Sequence, residues 1–209
     1  MDNDVPRWLR WSRELIAIAQ TGIEFAKDPY DVERYASVRR IGAEMLVSDS
    51  GNRSTEKVLA ALEGDVGYAT PKIDVRAAVI HDCKILLVRE VRDGKWTMPG
   101  GWADVGDAPS GAAVREVREE SGFDIRVRKL VAVLDRDKHG HPPIPHHAYK
   151  LFFLCDLIGG IATTSGETDA VDFFPQGGLP PLSLSRVLPW QVDLAFEHHR
   201  HPELPTVFD

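Results

Sequence analysis

The feature that most constrains this chain is an acidic stretch near its middle, framed by glycines. Gly100-Gly101-Trp102-Ala103-Asp104-Val105-Gly106-Asp107 leads to Pro109, and Arg115-Glu116-Val117-Arg118-Glu119-Glu120-Ser121-Gly122 follows. Asp107 and Pro109 predict a helix start, with an acidic residue near the first turn and the proline where a missing N–H costs nothing. Gly122 predicts the end, at the position where left-handed backbone is wanted. Ala112, Ala113, Val114 and Val117 give the helix a small apolar stripe for a sheet. Residues three and four apart share one helical face, so Glu116, Glu119 and Glu120 converge on one spot. Three carboxylates facing one way repel unless a cation sits between them, and a hard divalent ion with oxygen ligands fits that place. A lone E-x-x-E-E is more often a solvated acidic face. Here the glycine loop, Arg115 and Gly122 stand at offsets that favour the metal. Upstream, Trp96 to Gly101 is a tight turn able to bring backbone carbonyls close to a metal or phosphate.

In these positions the chain resembles the Nudix hydrolase family, whose signature runs G-x5-E-x7-R-E-U-x-E-E-x-G-U, with U a bulky aliphatic. Gly101, Arg115, Glu116, Val117, Glu119, Glu120 and Gly122 fall at the signature's spacing. Asp107 stands where the family usually has glutamate, and Phe123 fills the last bulky position. The resemblance implies an α/β fold, an α/β/α sandwich with a mixed sheet. It implies attack of water on one phosphorus of a nucleoside diphosphate linked to a group X. It further implies Mg2+ (or Mn2+) held by Glu116, Glu119, Glu120 and the Gly100 carbonyl. Arg115 then joins Glu119 and Glu120 in catalysis, while Asp107 pairs with Arg115 and Gly101 shapes the loop from behind. The family's general base often lies outside the signature; Glu167 and Asp169 are the candidates, or else form a polar turn. Arg89 either bridges a phosphate or pairs with Glu90, and Arg76 shares that ambiguity as a substrate contact. Trp102 offers an aromatic face to a cationic X group, or serves as core. His139 belongs to a segment, 134–147, rich in histidine, proline and charge. Without paired metal-ligand spacing it reads as a proline-stiffened loop beside the site, contacting the substrate, rather than as a zinc centre.

A second resemblance covers the flanks. Trp8-Leu-Arg-Trp11, Ala17 to Gly22, Lys27 to Tyr35, Asp135 to His139 and Leu179 to Arg186 look like a bacterial Nudix group with an N-terminal helical extension. That group includes CDP-choline and ADP-ribose pyrophosphatases. It makes CDP-choline, cleaved to CMP and phosphocholine, the leading expectation, with ADP-ribose, cleaved to AMP and ribose 5-phosphate, its close rival. A reading of another class is a non-catalytic nucleotide sensor, against which the intact triad argues. An enzyme of RNA ends would need a basic track that the sequence lacks.

Two domains are expected, an all-α one over 1–66 and the hydrolase over 67–209. Helices are predicted at 7–27, with Trp8, Trp11, Leu15, Ile18, Ala19 and Phe25 as the packing stripe, at 30–47, and after a cap at Ser54, with a turn over 48–52. From residue 72 the period changes to that of strands: 75–80 and 84–89 flank a hairpin at His81 to Cys83, with further strands at 125–134, 148–157 and around Phe173-Phe174, then a helix over 190–199. The net charge of −7 argues against general affinity for nucleic acid. No apolar run approaches the ~20 residues of a membrane span. The polar, acidic start is unlike a signal peptide, and Cys83 and Cys155 read as buried thiols, so a cytoplasmic, membrane-free protein is expected. Aromatic surface in excess of what three short helices can bury predicts a homodimer through them.

Overall fold

Three helices, α1 (Arg7–Phe25), α2 (Pro29–Ser48) and α3 (Thr55–Leu62), make up the first part of the chain. The computed structural model describes residues 5–48 and 54–209; the turn expected over 48–52 lies outside the described residues apart from Ser48. Asp28 accepts from the Tyr30 N–H at 2.9 Å as α2 begins, and Ser54 caps α3 by accepting from the Lys57 N–H at 3.3 Å. The stripe that α1 buries matches the expected one only in part: Ala19 is buried and Trp8 packs against the core. Leu9, Ser12, Ile16 and Ala19 face inward, whereas Trp11, Ile18 and Phe25 are half-exposed or more. The reason lies across the contact: Ser12 donates to the Gly42 carbonyl at 2.7 Å, and a Cβ on Gly42 would sit 2.7 Å from Ile16. So close an approach of two helices selects small residues, and the large ones go to the other face. Leu9, Ile16, Leu46 and Leu62 form this unit's own core.

By contact density the chain divides into Met1–Pro71 with Pro143–His147, and Lys72–Pro142 with Ala148–Asp209. The short second segment of the helical unit is held by Arg13, which donates to the carbonyls of Ile144 at 2.5 Å and Pro145 at 3.2 Å. Part of the loop expected beside the catalytic site therefore belongs with the helices.

The second unit is a mixed sheet with a helix on each face. Its strands are β1 (Lys72–His81), β2 (Lys84–Glu90), β3 (Trp96–Thr97), β4 (Phe123–Asp135), β5 (Ala148–Gly160), β6 (Thr168–Pro175) and β7 (Val207–Phe208), in the order β3-β2-β1-β5-β4-β7 with β6 also on β2. β1 runs parallel to β5 and antiparallel to β2, and β4 antiparallel to β5. The β1–β2 hairpin turns through Asp82 and Cys83, both at positive φ; Cys83 is exposed there, not buried, while Cys155 is buried. Alternation along β1 sorts the two layers. Val75, Ala77 and Val79 pack with Ala112, Ala113 and Val117 of α4 (Pro109–Ser121). Ala78 and Ile80 pack with Val192, Ala195 and Phe196 of α5 (Pro189–Arg200). Among the described residues no helix is long and apolar enough to cross a membrane.

Candidate active site

The glycine loop is laid along β1 as a partner strand would be. Val75 and Ala77 donate to the carbonyls of Gly101 at 2.8 Å and Pro99 at 2.9 Å, and Ala103 donates to that of Ile73 at 3.0 Å. Between those anchors Gly100 stands at φ 141°, and a Cβ there would meet the Val75 carbonyl oxygen at 2.1 Å. Only glycine fits, and the fit aims the Gly100 N–H at Glu120 Oε2, 2.8 Å away. Helix α4 begins at Pro109, as expected, with Ala108 as its N-cap, so Asp107 lies one residue before the cap and the first turn carries no acid. Asp107 accepts instead from Arg115 Nη2 at 3.0 Å and from the Asp104 N–H at 3.3 Å. The helix ends on Gly122 in left-handed conformation, as expected.

Along α4 the three glutamates differ in surroundings. Arg115 Nη1 lies 2.8 Å from Glu116 Oε1 and 3.3 Å from Glu119 Oε2, so one guanidinium joins two of the carboxylates to Asp107. Glu119 is open to solvent, Glu116 largely covered and Glu120 buried. Burial pushes the Glu120 carboxyl up to about 7; Arg76 and the Gly100 N–H pull the other way, and Glu116 and Glu90 add to the rise. Burial raises Glu116 as well, against the pull of Arg115. Glu116 and Glu120 are thus carboxyls that burial makes costly to ionise, on the helix face that also carries Glu119, although the three do not bring one oxygen each within 4.8 Å of one another. The donor set fits a divalent cation.

Beneath Glu120 lies a buried ionic group that the sequence does not announce. Arg76, wholly enclosed, donates to Asp74 through Nε at 2.8 Å and Nη2 at 3.0 Å, and to the Met98 carbonyl at 3.1 Å. Lys150, equally enclosed, donates to Asp74 Oδ1 at 2.7 Å. Burial disfavours the Asp74 charge, yet Arg76 and Lys150 together hold its carboxyl well below the usual range. Arg76 is thus corrected from a substrate contact to an interior counter-charge: its guanidinium is spent on Asp74 and Met98, and a fully buried group cannot reach a ligand in the cleft. Glu90, also buried, pairs with Arg186 at 3.0 Å rather than with Arg89.

Arg89 pairs with Asp169 at 2.7 Å, which occupies one of the two candidate bases, and lies 6.0 Å over the Trp96 ring. The other, Glu167, is exposed, on a turn tied to the end of α4. Trp102, 41% exposed, is available to a ligand. His139 is spent elsewhere, pairing with Asp209 at 2.8 Å and lying 5.3 Å from the Trp190 ring. Asp74, Lys150, Arg186 and Thr168 are the site's neighbours that sequence reasoning missed. Arg186 ends a segment singled out in the sequence, but nothing local signals the others.

Comparison with known proteins agrees with this geometry. Residues 71–191 match the NUDIX domain, and residues 6–62 match the family described as UDP-X-like, N-terminal oligomerisation domain. A Bacillus subtilis protein named "Putative ADP-ribose pyrophosphatase YjhB" is 44% identical over 203 residues, 97% of each chain. The crystal structure of an ADP-ribose pyrophosphatase from Streptococcus suis matches with a TM-score of 0.62 at 42% identity, over 67% of this chain and all of that one. That of a UDP-X diphosphatase matches with a TM-score of 0.63 at 33% identity, over the whole of both chains.

Proposed function

The chain belongs to the Nudix family and is a hydrolase of phosphoanhydride bonds, and from that premise we propose that it cleaves a nucleoside diphosphate linked to a sugar or related group, with ADP-ribose as the first substrate to test. The observation that carries the reading is the face formed by Glu116, Glu119 and Glu120 under the Gly100 loop. The choice of ADP-ribose is supported by the relatives so named, from Bacillus subtilis and Streptococcus suis, and the UDP-X diphosphatase makes UDP-sugars the second class. CDP-choline, the sequence-based expectation, competes in the same assay.

Glu116, Glu119 and Glu120 would hold Mg2+, with the Gly100 carbonyl as a further oxygen. When bound, the ion neutralises pyrophosphate charge and lowers the pKa of a coordinated water. Arg115 keeps Glu116 and Glu119 in register with Asp107, and Glu167 accepts the proton of the attacking water. Trp102 provides a face for the base or the X group, and Arg89 a cation for a phosphate once it leaves Asp169. Positioning and charge neutralisation carry most of such a reaction. The deciding experiment is turnover of ADP-ribose, UDP-glucose, CDP-choline and CDP-ethanolamine with Mg2+ and with Mn2+. Hydrolysis of ADP-ribose to AMP and ribose 5-phosphate at the highest kcat/KM supports the reading; preference for CDP-choline overturns the substrate; no turnover of any of them overturns the class of substrate.

The same chain is proposed to act as a homodimer. Trp11, Ile18 and Phe25, seven residues apart on α1, are 49%, 50% and 65% exposed, and the match of residues 6–62 to an oligomerisation domain supports a second copy as their cover. Light scattering of the full chain at tens of micromolar tests it: a monomer rejects the dimer.

A further inference from the structure

Glu167 combines an exposed side chain with a backbone clamped on both sides. Its N–H donates to Ser165 Oγ at 3.1 Å, and its carbonyl accepts from Val91 N–H at 2.9 Å. The next residue, Thr168, is fully buried. Its N–H also donates to Ser165 Oγ, at 3.2 Å, while its carbonyl accepts from the Ser165 N–H at 3.1 Å, closing a tight turn over 165–168. The Thr168 hydroxyl joins the turn to the helix: its oxygen accepts from the Ser165 N–H at 3.2 Å and lies 3.1 Å from Ser165 Oγ, and it donates to the Glu120 carbonyl at 2.7 Å. The last carbonyls of a helix have no partner within it, and Glu120 is in the last turn of α4. Ser121 and Gly122 give their carbonyls to the same loop, accepting from the N–H groups of Thr163 at 2.9 Å and Ile161 at 3.3 Å. The loop that carries Glu167 is therefore fastened to the end of the glutamate helix, and among the described residues Thr168 supplies a side-chain fastening beside the backbone ones.

We propose that Thr168 is a positioning residue for the hydrolytic reaction, fixing the Glu167 turn to α4 so that the carboxylate stands at a set distance from the face of Glu116, Glu119 and Glu120. Threonine suits the position, because its hydroxyl makes the bond and its methyl fills the buried site on β6 against water. The proposal rests on Glu167 being the general base. A proton acceptor serves only within hydrogen-bond reach of the attacking water, so a looser turn lowers kcat; the bond ends on the backbone carbonyl of Glu120 and not on its carboxylate, which leaves the metal-binding oxygens as they were.

The test is Thr168→Val, which removes the hydroxyl at nearly constant volume, compared with Thr168→Ser, which restores it, and with Glu167→Gln. With ADP-ribose, UDP-glucose and CDP-choline as substrates, Thr168→Val is expected to lower kcat by about tenfold or more. KM, and the Kd for Mn2+ measured on the substrate-free protein, should stay within about twofold, and Thr168→Ser should recover most of the rate. A wild-type kcat in Thr168→Val overturns the proposal when Glu167→Gln is impaired; a wild-type rate in Glu167→Gln instead overturns the assignment of the base, and the proposal with it. A measurement without substrate gives a second check. Amide exchange of Glu167 and Thr168 in Thr168→Val should speed up by about tenfold relative to the rest of β6, and unchanged protection would count against the fastening itself.

Discussion

Each of the two units of this protein departs from the usual rule of burial beside an ordinary apolar core, in opposite ways. The helical unit buries Ser12, Ala19 and Gly42 and leaves Trp11, Ile18 and Phe25 in solvent. The sheet unit encloses Arg76, Lys150, Asp74, Glu90 and Glu120. Exposed large apolar side chains on one face are stabilised by a protein partner; buried charges persist only when paired or offered to an ion. The departure in the helices is the surface that the proposed second copy would cover, and that in the sheet is where the proposed cation and substrate would be held. The difference teaches where each kind of function is stored: in apolar area left uncovered, or in a carboxylate, Glu120, that no cation pairs among the described ion pairs while its buried neighbours pair with one another.

The largest effect should come from breaking the charge side of that comparison. Glu119→Gln and Glu120→Gln are each expected to lower kcat/KM by about a hundredfold or more, the scale for losing an electrostatic catalytic group. Yet neither should lower the melting temperature of the metal-free protein. For Glu120 the sign follows from its carboxyl being held at about 7, above its ordinary value. A carboxylate that is harder to ionise in the folded than in the unfolded state opposes folding as pH rises. Gln removes that opposition, so above pH 7 the metal-free variant should melt no lower than the parent. A lower melting temperature would mean that Glu120 serves the fold.

Arg115→Ala sharpens the contrast by one step. It strips the shared cation from Asp107, Glu116 and Glu119. Activity should fall by about tenfold to a hundredfold, and the melting temperature by a few degrees, since a part-exposed ion-pair network is worth about 1 kcal/mol. A variant with lost activity and unchanged melting would reduce Arg115 to a purely catalytic role.

The sheet unit also predicts its own pH dependence. His141 is buried, with Nδ1 2.8 Å from the Leu184 carbonyl and Nε2 3.0 Å from Gln191 Nε2, the pattern of a neutral ring. Burial holds its pKa down to about 3, and Lys150 and Arg136 add to this against the Leu184 bond and Asp74. The unfolded ring takes its proton near 6.5, so the unfolded state binds more protons between about 6.5 and 3 and stability falls as pH falls through that window. By pH 4 the loss from this one group reaches about 3 kcal/mol. Urea unfolding at pH 7, 5.5 and 4 should show it, and His141→Asn should flatten the slope. An unchanged slope in that variant would show that His141 is not the source of the loss; Asp74, whose carboxyl is held low by its two cations, gives up its stabilisation only below the ordinary carboxylate range.

What the sequence makes legible follows the range of the interaction. The Asp107–Arg115 pair, the left-handed Gly122, the Ser54 cap and the hairpin at Asp82-Cys83 are all set within a few residues or one helix, and each is visible as spacing. Asp74 and Lys150 are 76 positions apart and meet because β1 and β5 pair in one particular parallel register. No local pattern states that register, so Arg76 reads from the sequence like a free strand-end cation. The two-residue strands β3 and β7 have no period to detect. In α1 apolar residues lie on more than one face, and the buried face is decided by Gly42 on α2, information that α1 does not contain.

The smallest expected effect separates those two faces of α1 directly. Ser12 and Trp11 are neighbours in sequence, one buried and hydrogen-bonded to Gly42, the other half-exposed with the Arg7 guanidinium 5.7 Å from its ring. Ser12→Ala removes a buried donor and leaves a small gap, and should lower unfolding stability by about 1 kcal/mol. It should leave subunit association as it was, since the residue faces α2. Trp11→Ser should do the reverse. The side chain is already largely in water within one chain, so the folding of a single subunit changes by about 0.5 kcal/mol or less. Association should weaken by about tenfold or more if the indole is an interface anchor. Sedimentation over a dilution series gives association, and urea unfolding at the lowest concentration gives subunit stability. If Trp11→Ser instead destabilises the subunit and leaves association intact, the exposed stripe is not the dimer surface, and the comparison between the two units loses its helical half.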